Sequence, residues 1–355
     1  MKVLIDIGHP GDFYLFKNLA NELLHNGNQV LFTIREAENE SDHAKHFGFS
    51  FKLIGKKGKG VFGKIKSVFT FTVQIIFVSL EFKPTLFLSH GSLFAGIAAF
   101  IFRKPHIAME DTGNMEQIRL SKPFSNVILS PDVLPIYLGK KHIKFNGYHE
   151  LCYLSPKYFK QDDSILADLG VSEKESFAII RFTSWNATHD LGKRGLNNNE
   201  KIKLIEQVSS HMKVFISAEN ELPANLEPLR IKIPVTKMHD ALYFARIYIG
   251  EGATMAAEAG ILGTPSIYIS PIEISYNIDQ EKYGTVYNFL NYNAAKYKIE
   301  ELILDNNSKL NSRLWCQKIT KDKIDVNSFY YWFVENWPNS FKIMKENPDY
   351  QYNFK

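Results

Sequence analysis

The stretch VLIDIGHPGDFYLFKNLANELLHNGNQVLFTIR (3–35) carries the clearest signature of the architecture. VLIDIG (3–8) is a nearly continuous apolar run and predicts a strand. The loop HPGDF follows, then LFKNLANELLHNG, a helix that stops on Gly27. NQVLFTIR (28–35) is the next strand. Strand, loop, helix, strand is a βαβ unit, and it predicts a parallel sheet.

The same rhythm runs on. PTLFLSHG (84–91), PHIAMED (105–111), NVILSPD (126–132) and IKFNGY (143–148) are further strands, with SLFAGIAAFIFRK as a helix between the first two. A polar segment near 155–175 interrupts, and the pattern restarts with FAIIRF (177–182). KVFISAE (213–219), LRIKIPV (229–235), IYIGEG (247–252) and PSIYIS (265–270) continue it. The fold class expected is α/β, with two Rossmann-like, doubly wound parallel-sheet domains facing across a cleft. Their expected spans are 1–160 and 161–325. The remainder, 326–355, holds the aromatic segment FYYWFVENWPNSFKIMKE and is expected to pack back as a helix at the domain junction. Ligands of such folds bind at the carboxyl ends of the strands.

Composition narrows the class. The 355 residues are 45% hydrophobic and 23% charged, ordinary for a globular protein of two domains. The formal net charge of +4 is too small to argue for nucleic acid. Two distant cysteines, Cys152 and Cys316, make neither a disulfide framework nor a zinc signature, so the expected compartment is the cytoplasm. The amino terminus lacks the pattern of a signal peptide. The segment KLIGKKGKGVFGKIK (52–66) holds six lysines and no acid. It precedes the uncharged run SVFTFTVQIIFVSL (67–80). At 14 residues that run is shorter than the roughly 20 needed to cross a bilayer. A basic loop before an apolar helix suits contact with a membrane surface through 52–80, against the plainer alternative of a buried helix behind a solvated loop.

Candidate site residues cluster at strand ends. GEGATMAAEAGILGTP (250–265) is a strand end, a glycine turn and a helix start. Gly250 and Gly252 permit a sharp turn, and the free N–H groups near Ala253 and Thr254 offer an anion site. Glu258, one turn on, is placed to accept ribose hydroxyls. The alternative is a tight strand–helix turn with Glu258 in solvent. RFTSWNATHDLGKRG (181–195) follows another strand and carries Arg181, Thr183, Ser184, Asn186 and His189, donors suited to a diphosphate. In the first half, His9 or Asp12 of the loop after the first strand is a candidate general base, although Asp12 also suits a helix cap. His90, Ser92, Glu110 and Asp111 stand at further strand ends, where paired carboxylates offer a proton site. His149 and Glu150 in GYHELCYLSP read more simply as a hinge.

Five segments then occur in a telling order: DIGHPGDFYLFKNLANELLHNGNQVLFT, KPTLFLSHGSLFAGIAAFIFRKPHIAMEDTGN, FNGYHELCYLSP, RFTSWNATHD and GEGATMAAEAGILGTPSIYI. Together they resemble an uncharacterised prokaryotic family of GT-B-like proteins grouped with sugar-nucleotide enzymes. The likeness extends to about residue 290. The turn also resembles that of the lipid-linked N-acetylglucosaminyl transferase of peptidoglycan synthesis. That resemblance implies nucleotide binding by Gly252, Ala253, Thr254 and Glu258, and a membrane-facing patch in the first domain. KPTLFLSHGS and PHIAMEDTGN look like the corresponding segments of UDP-N-acetylglucosamine 2-epimerases, where Glu110 matches a catalytic carboxylate. Ser92 stands where the epimerase pattern has Asp, which weighs against epimerisation.

The expected function is therefore a GT-B glycosyltransferase, moving a sugar from a nucleotide-sugar donor, UDP-linked first, to a glycan or lipid-linked acceptor of surface polysaccharide. No metal or cofactor is expected, and the catalytic candidates are His9, Asp12 and Glu110. The expected location is the cytoplasm, at the inner face of the plasma membrane where the 52–80 patch makes contact. The rivals are an epimerase and a non-catalytic sugar-nucleotide-binding module.

Overall fold

The computed structural model describes residues 1–35, 40–56, 58, 60–184 and 195–355. The calls on Asn186 and His189 lie outside these residues. The chain forms two compact units. One comprises Met1–Tyr153 and Ile324–Lys355, the other Leu154–Lys323.

The first unit carries seven parallel strands: β1 (Lys2–Ile7), β2 (Gln29–Ile34), β3 (Phe51–Leu53), β4 (Leu86–His90), β5 (His106–Met109), β6 (Val127–Pro131) and β7 (His142–Phe145). Their order is β3-β2-β1-β4-β5-β6-β7. β1 is central, and Val3 through Ile7 are all buried because helices cover both faces. The helix Pro10–His25 begins at His9, whose Nδ1 accepts from Gly11 N at 3.1 Å, with proline in its first turn. The chain order reverses between β1 and β4. That is the switch point where the loops after the two strands leave on opposite faces and open a crevice.

The carboxyl-terminal segment returns to this unit. Ile324 N donates to Asn146 O at 2.9 Å, and Asn327 Nδ2 to Glu22 Oε2 at 2.9 Å. Phe329 and Tyr330, on the helix Val326–Glu335, pack their rings against Phe145. The uncharged run 67–80 belongs to a longer helix, Gly60–Phe82. Phe71 and Ile75 on it are buried, whereas Phe69 and Phe77 are 72% and 66% exposed. Among the described residues no helix is long and apolar enough to cross a membrane.

The second unit carries β8 (Phe177–Phe182), β9 (Lys213–Ala218), β10 (Ile247–Gly250), β11 (Ser266–Ile269) and β12 (Val286–Phe289), all parallel, in the order β12-β11-β10-β8-β9. Ile180, Ile216, Ile249, Ile267 and Leu204 are among the residues of its buried core. Its switch point lies between β10 and β8. LRIKIPV, expected as a strand, is corrected to a bridge: Ile231 N donates to Ile216 O at 2.9 Å, and no ladder follows. Its side chains stay at least partly exposed, and Pro234 lacks the N–H a ladder needs.

Candidate functional site

In the second unit the site grows from the pairing of β8 with β10, which sets Gly250 opposite Arg181. A Cβ on Gly250 would lie 2.7 Å from both Cβ and O of Arg181, so only glycine fits. Gly252 is the N-cap of the helix Ala253–Ile261 and makes no side-chain cap, leaving first-turn N–H groups free of one. Arg181 reaches back along the sheet edge: Nη1 donates to Ser217 Oγ at 2.7 Å and Nη2 to Glu219 Oε1 at 2.6 Å. Glu219 also accepts from Ser184 N at 3.0 Å. Burial opposes its charge, but Ser184 and Arg181 hold its carboxyl below the usual range.

Glu251 is the residue the sequence did not single out. It is buried and accepts from Thr183 N at 3.0 Å and from Leu196 N at 2.6 Å. Its signal was an acid enclosed by two glycines at a strand end, where a buried carboxylate requires donors. Thr254 is exposed at the helix start. Glu258 is buried, and its Oε1 lies 3.0 Å from Nε2 of the buried His239. It is neither a solvated helix residue nor unengaged, and any ligand reaching it meets a carboxylate–imidazole pair. The small residues Ala256, Ala257, Ala259 and Gly260 seat this helix close against its neighbours.

In the first unit the switch point assembles four side chains from four segments. His90, at the end of β4, has Nδ1 2.9 Å from Asp12 Oδ1 and Nε2 2.9 Å from Asp111 Oδ1. The other oxygen of Asp111 lies 3.1 Å from His149 Nδ1. Asp12 is fixed in turn, its Oδ2 accepting from Gly8 N at 3.0 Å and His9 N at 2.9 Å. Burial alone would pull the His90 imidazole down, but Asp111 and Asp12 raise it well above the usual range. Burial would likewise raise the two carboxyls, and the imidazoles beside them lower both. The donor atoms of His90, Asp111 and His149 lie within 4.8 Å of one another, a separation a shared cation can use.

The other candidates here do different work. His9 is exposed and caps its helix. Glu110 is buried, and its Oε1 accepts from Thr112 N at 2.8 Å, Thr112 Oγ1 at 2.7 Å and Gly113 N at 3.1 Å, so it shapes its own loop. Ser92 caps the helix Leu93–Ile101 and donates to Asp6, whose carboxylate is held by Arg35 Nη1 at 2.6 Å and Nη2 at 2.8 Å. His90, Asp111 and His149 are not among the catalytic residues that the sequence suggests, because no local pattern links a histidine at 149 to one at 90.

Two parallel α/β units with ligand-type switch points define the GT-B class of fold. The chain belongs to the family described as a protein of unknown function, DUF354, whose profile matches residues 1–318. The uncharacterized protein MJ0665 of Methanocaldococcus jannaschii is 24% identical over 285 residues, 77% of this chain and 83% of its own. The fold is shared with the UDP-GlcNAc 2-epimerase of Neisseria meningitidis bound to UDP-GlcNAc. That likeness has a TM-score of 0.59 at 14% identity and covers 98% of this chain and 99% of the other. It is shared too with the spinosyn rhamnosyltransferase SpnG complexed with spinosyn aglycone. There the TM-score is 0.60 at 13% identity, over 94% and 99% of the two chains.

Proposed function

We infer that the protein is a glycosyltransferase that uses a nucleotide-sugar, with UDP as the first nucleotide to test. The observation that carries this is the glycine turn at the β8–β10 switch point. There Arg181, the uncapped start of the helix Ala253–Ile261 and the Glu258–His239 pair lie in one sheet-edge neighbourhood. A helix start and a guanidinium suit a diphosphate leaving group, and they need no metal to neutralise it. Glu258, with Thr254 on the exposed start of the same helix, suits the ribose and phosphate. The solved relatives bound to UDP-GlcNAc and to an aglycone support a donor and an acceptor of these chemical kinds.

The first unit takes the acceptor, a glycan or lipid-linked hydroxyl. Phe69, Phe77 and Leu80 are exposed on the helix Gly60–Phe82. They support contact with a membrane surface, which suits a lipid-linked acceptor.

A thermal-shift panel of UDP-, GDP-, CMP- and dTDP-linked sugars tests the donor. One class is expected to stabilise the wild type, and Glu258→Ala to reduce that shift relative to its own baseline. No stabilisation by any of the four sinks the reading. Formation of the 2-epimer from UDP-N-acetylglucosamine alone would replace it with epimerisation.

A further inference from the structure

We propose that His90, Asp111 and His149 form a binding site for one divalent transition-metal ion, of which zinc is the natural probe. The three residues arrive from the end of β4 and from the loops after β5 and β7. They offer two imidazole nitrogens and a carboxylate, a donor set that suits zinc and its first-row neighbours. Those atoms already lie within 4.8 Å of one another.

The shell behind them is also that of a metal site. Asp12 Oδ1 takes the Nδ1 side of His90, at 2.9 Å, which turns Nε2 toward Asp111. A carboxylate behind a histidine fixes ring orientation and tautomer in this way at metal centres. Asp12 is itself fixed by the N–H groups of Gly8 and His9. His149 is held by ring contacts with Phe145 and Tyr330.

Charge points the same way. Carboxylate oxygens only accept, so the hydrogen-bonded array needs protons on both nitrogens of His90 and on Nδ1 of His149. Two carboxylates and one imidazolium then leave a net negative charge in a largely buried place, which is costly. A divalent ion bound by His90 Nε2, Asp111 and His149 Nδ1 displaces one proton from His90 to solvent and moves that of His149 to Nε2. Two carboxylates and one dication then sum to zero. The side chains of His90 and Asp111 are 19% and 12% exposed, so an ion and a further ligand oxygen can enter.

The site is independent of the donor reading in the second unit, and its test needs no turnover. Chelator-stripped protein is dialysed against zinc and its metal content measured, and cobalt is added to a second sample for its visible absorption. One ion per chain and a cobalt spectrum of mixed nitrogen and oxygen ligation are expected. His149→Ala and Asp111→Asn should each weaken retention at least tenfold, while Glu81→Gln, on an exposed ion pair with Lys52 in the same unit, retains it. Thermal unfolding of each variant reports that it is folded. If Asp111→Asn does not fold, the His149→Ala comparison and the wild-type cobalt spectrum decide. No ion retained by the wild type, or retention unchanged in His149→Ala, overturns the proposal in favour of a purely hydrogen-bonded array.

Discussion

Gly250 and Arg181 are opposed across the β8–β10 ladder so closely that a methyl group on the glycine would sit 2.7 Å from the arginine's Cβ and carbonyl oxygen. The obstructing atoms are backbone and the root of a side chain, which cannot swing aside. Gly250→Ala is therefore expected to cost about 1–3 kcal/mol, the usual range for overpacking a fitted contact. It should also shift Arg181 away from Ser217 and Glu219. Urea unfolding measures the first effect, and loss of any UDP-induced thermal shift measures the second. A variant as stable as the wild type would show that the two strands are free to separate.

Glu251 accepts from Thr183 N through Oε2 and from Leu196 N through Oε1. Glutamine in its place keeps one acceptor oxygen and turns an NH2 group toward the second donor. Glu251→Gln should then lose about 1–3 kcal/mol, the cost of leaving a buried donor unmatched. Hydrogen exchange at the Thr183 and Leu196 amides should speed up, more at one than at the other. Unchanged exchange at both would remove Glu251 from this role.

Lys309 donates from Nζ to the carbonyls of Tyr243 and Phe244 at 2.8 Å and of Ala245 at 2.5 Å, closing the end of the helix Met238–Phe244. Burial, helped by Arg313 and Arg246, pushes its ammonium down to about 7. The unfolded chain binds that proton up to about pH 10.4, so between the two values it holds more of it than the folded state does. This group's contribution is greatest above the unfolded value and is lost as pH falls through the folded one. Wild-type stability minus that of Lys309→Met should thus grow as pH rises from 7 to 9 in denaturant titrations. A difference that is flat or falls across that interval contradicts the shift.

Much of the fold was legible locally. VLIDIG, FAIIRF and IYIG form strands because nearly all their side chains are apolar and both sheet faces are covered. β3 and β12 were missed: three half-exposed residues in one, and a half-polar VYNF in the other, give no periodic signal. LRIKIPV failed in the opposite sense, since alternation alone does not supply a neighbour to pair with. At the site, Gly250 and Gly252 were legible because backbone geometry is a local demand. Glu258 was legible as a residue but not as a partner of His239, 19 positions earlier.

The alternation of strand and helix and the positions of the glycine turns are written in the sequence, because they depend on periodicity and backbone freedom within about a dozen residues. The strand order β3-β2-β1-β4-β5-β6-β7, and with it the meeting of Asp12, His90, Asp111 and His149, emerges from the packing alone. A sheet's order is set by how its faces pack against helices, so it brings together loops that no local pattern connects.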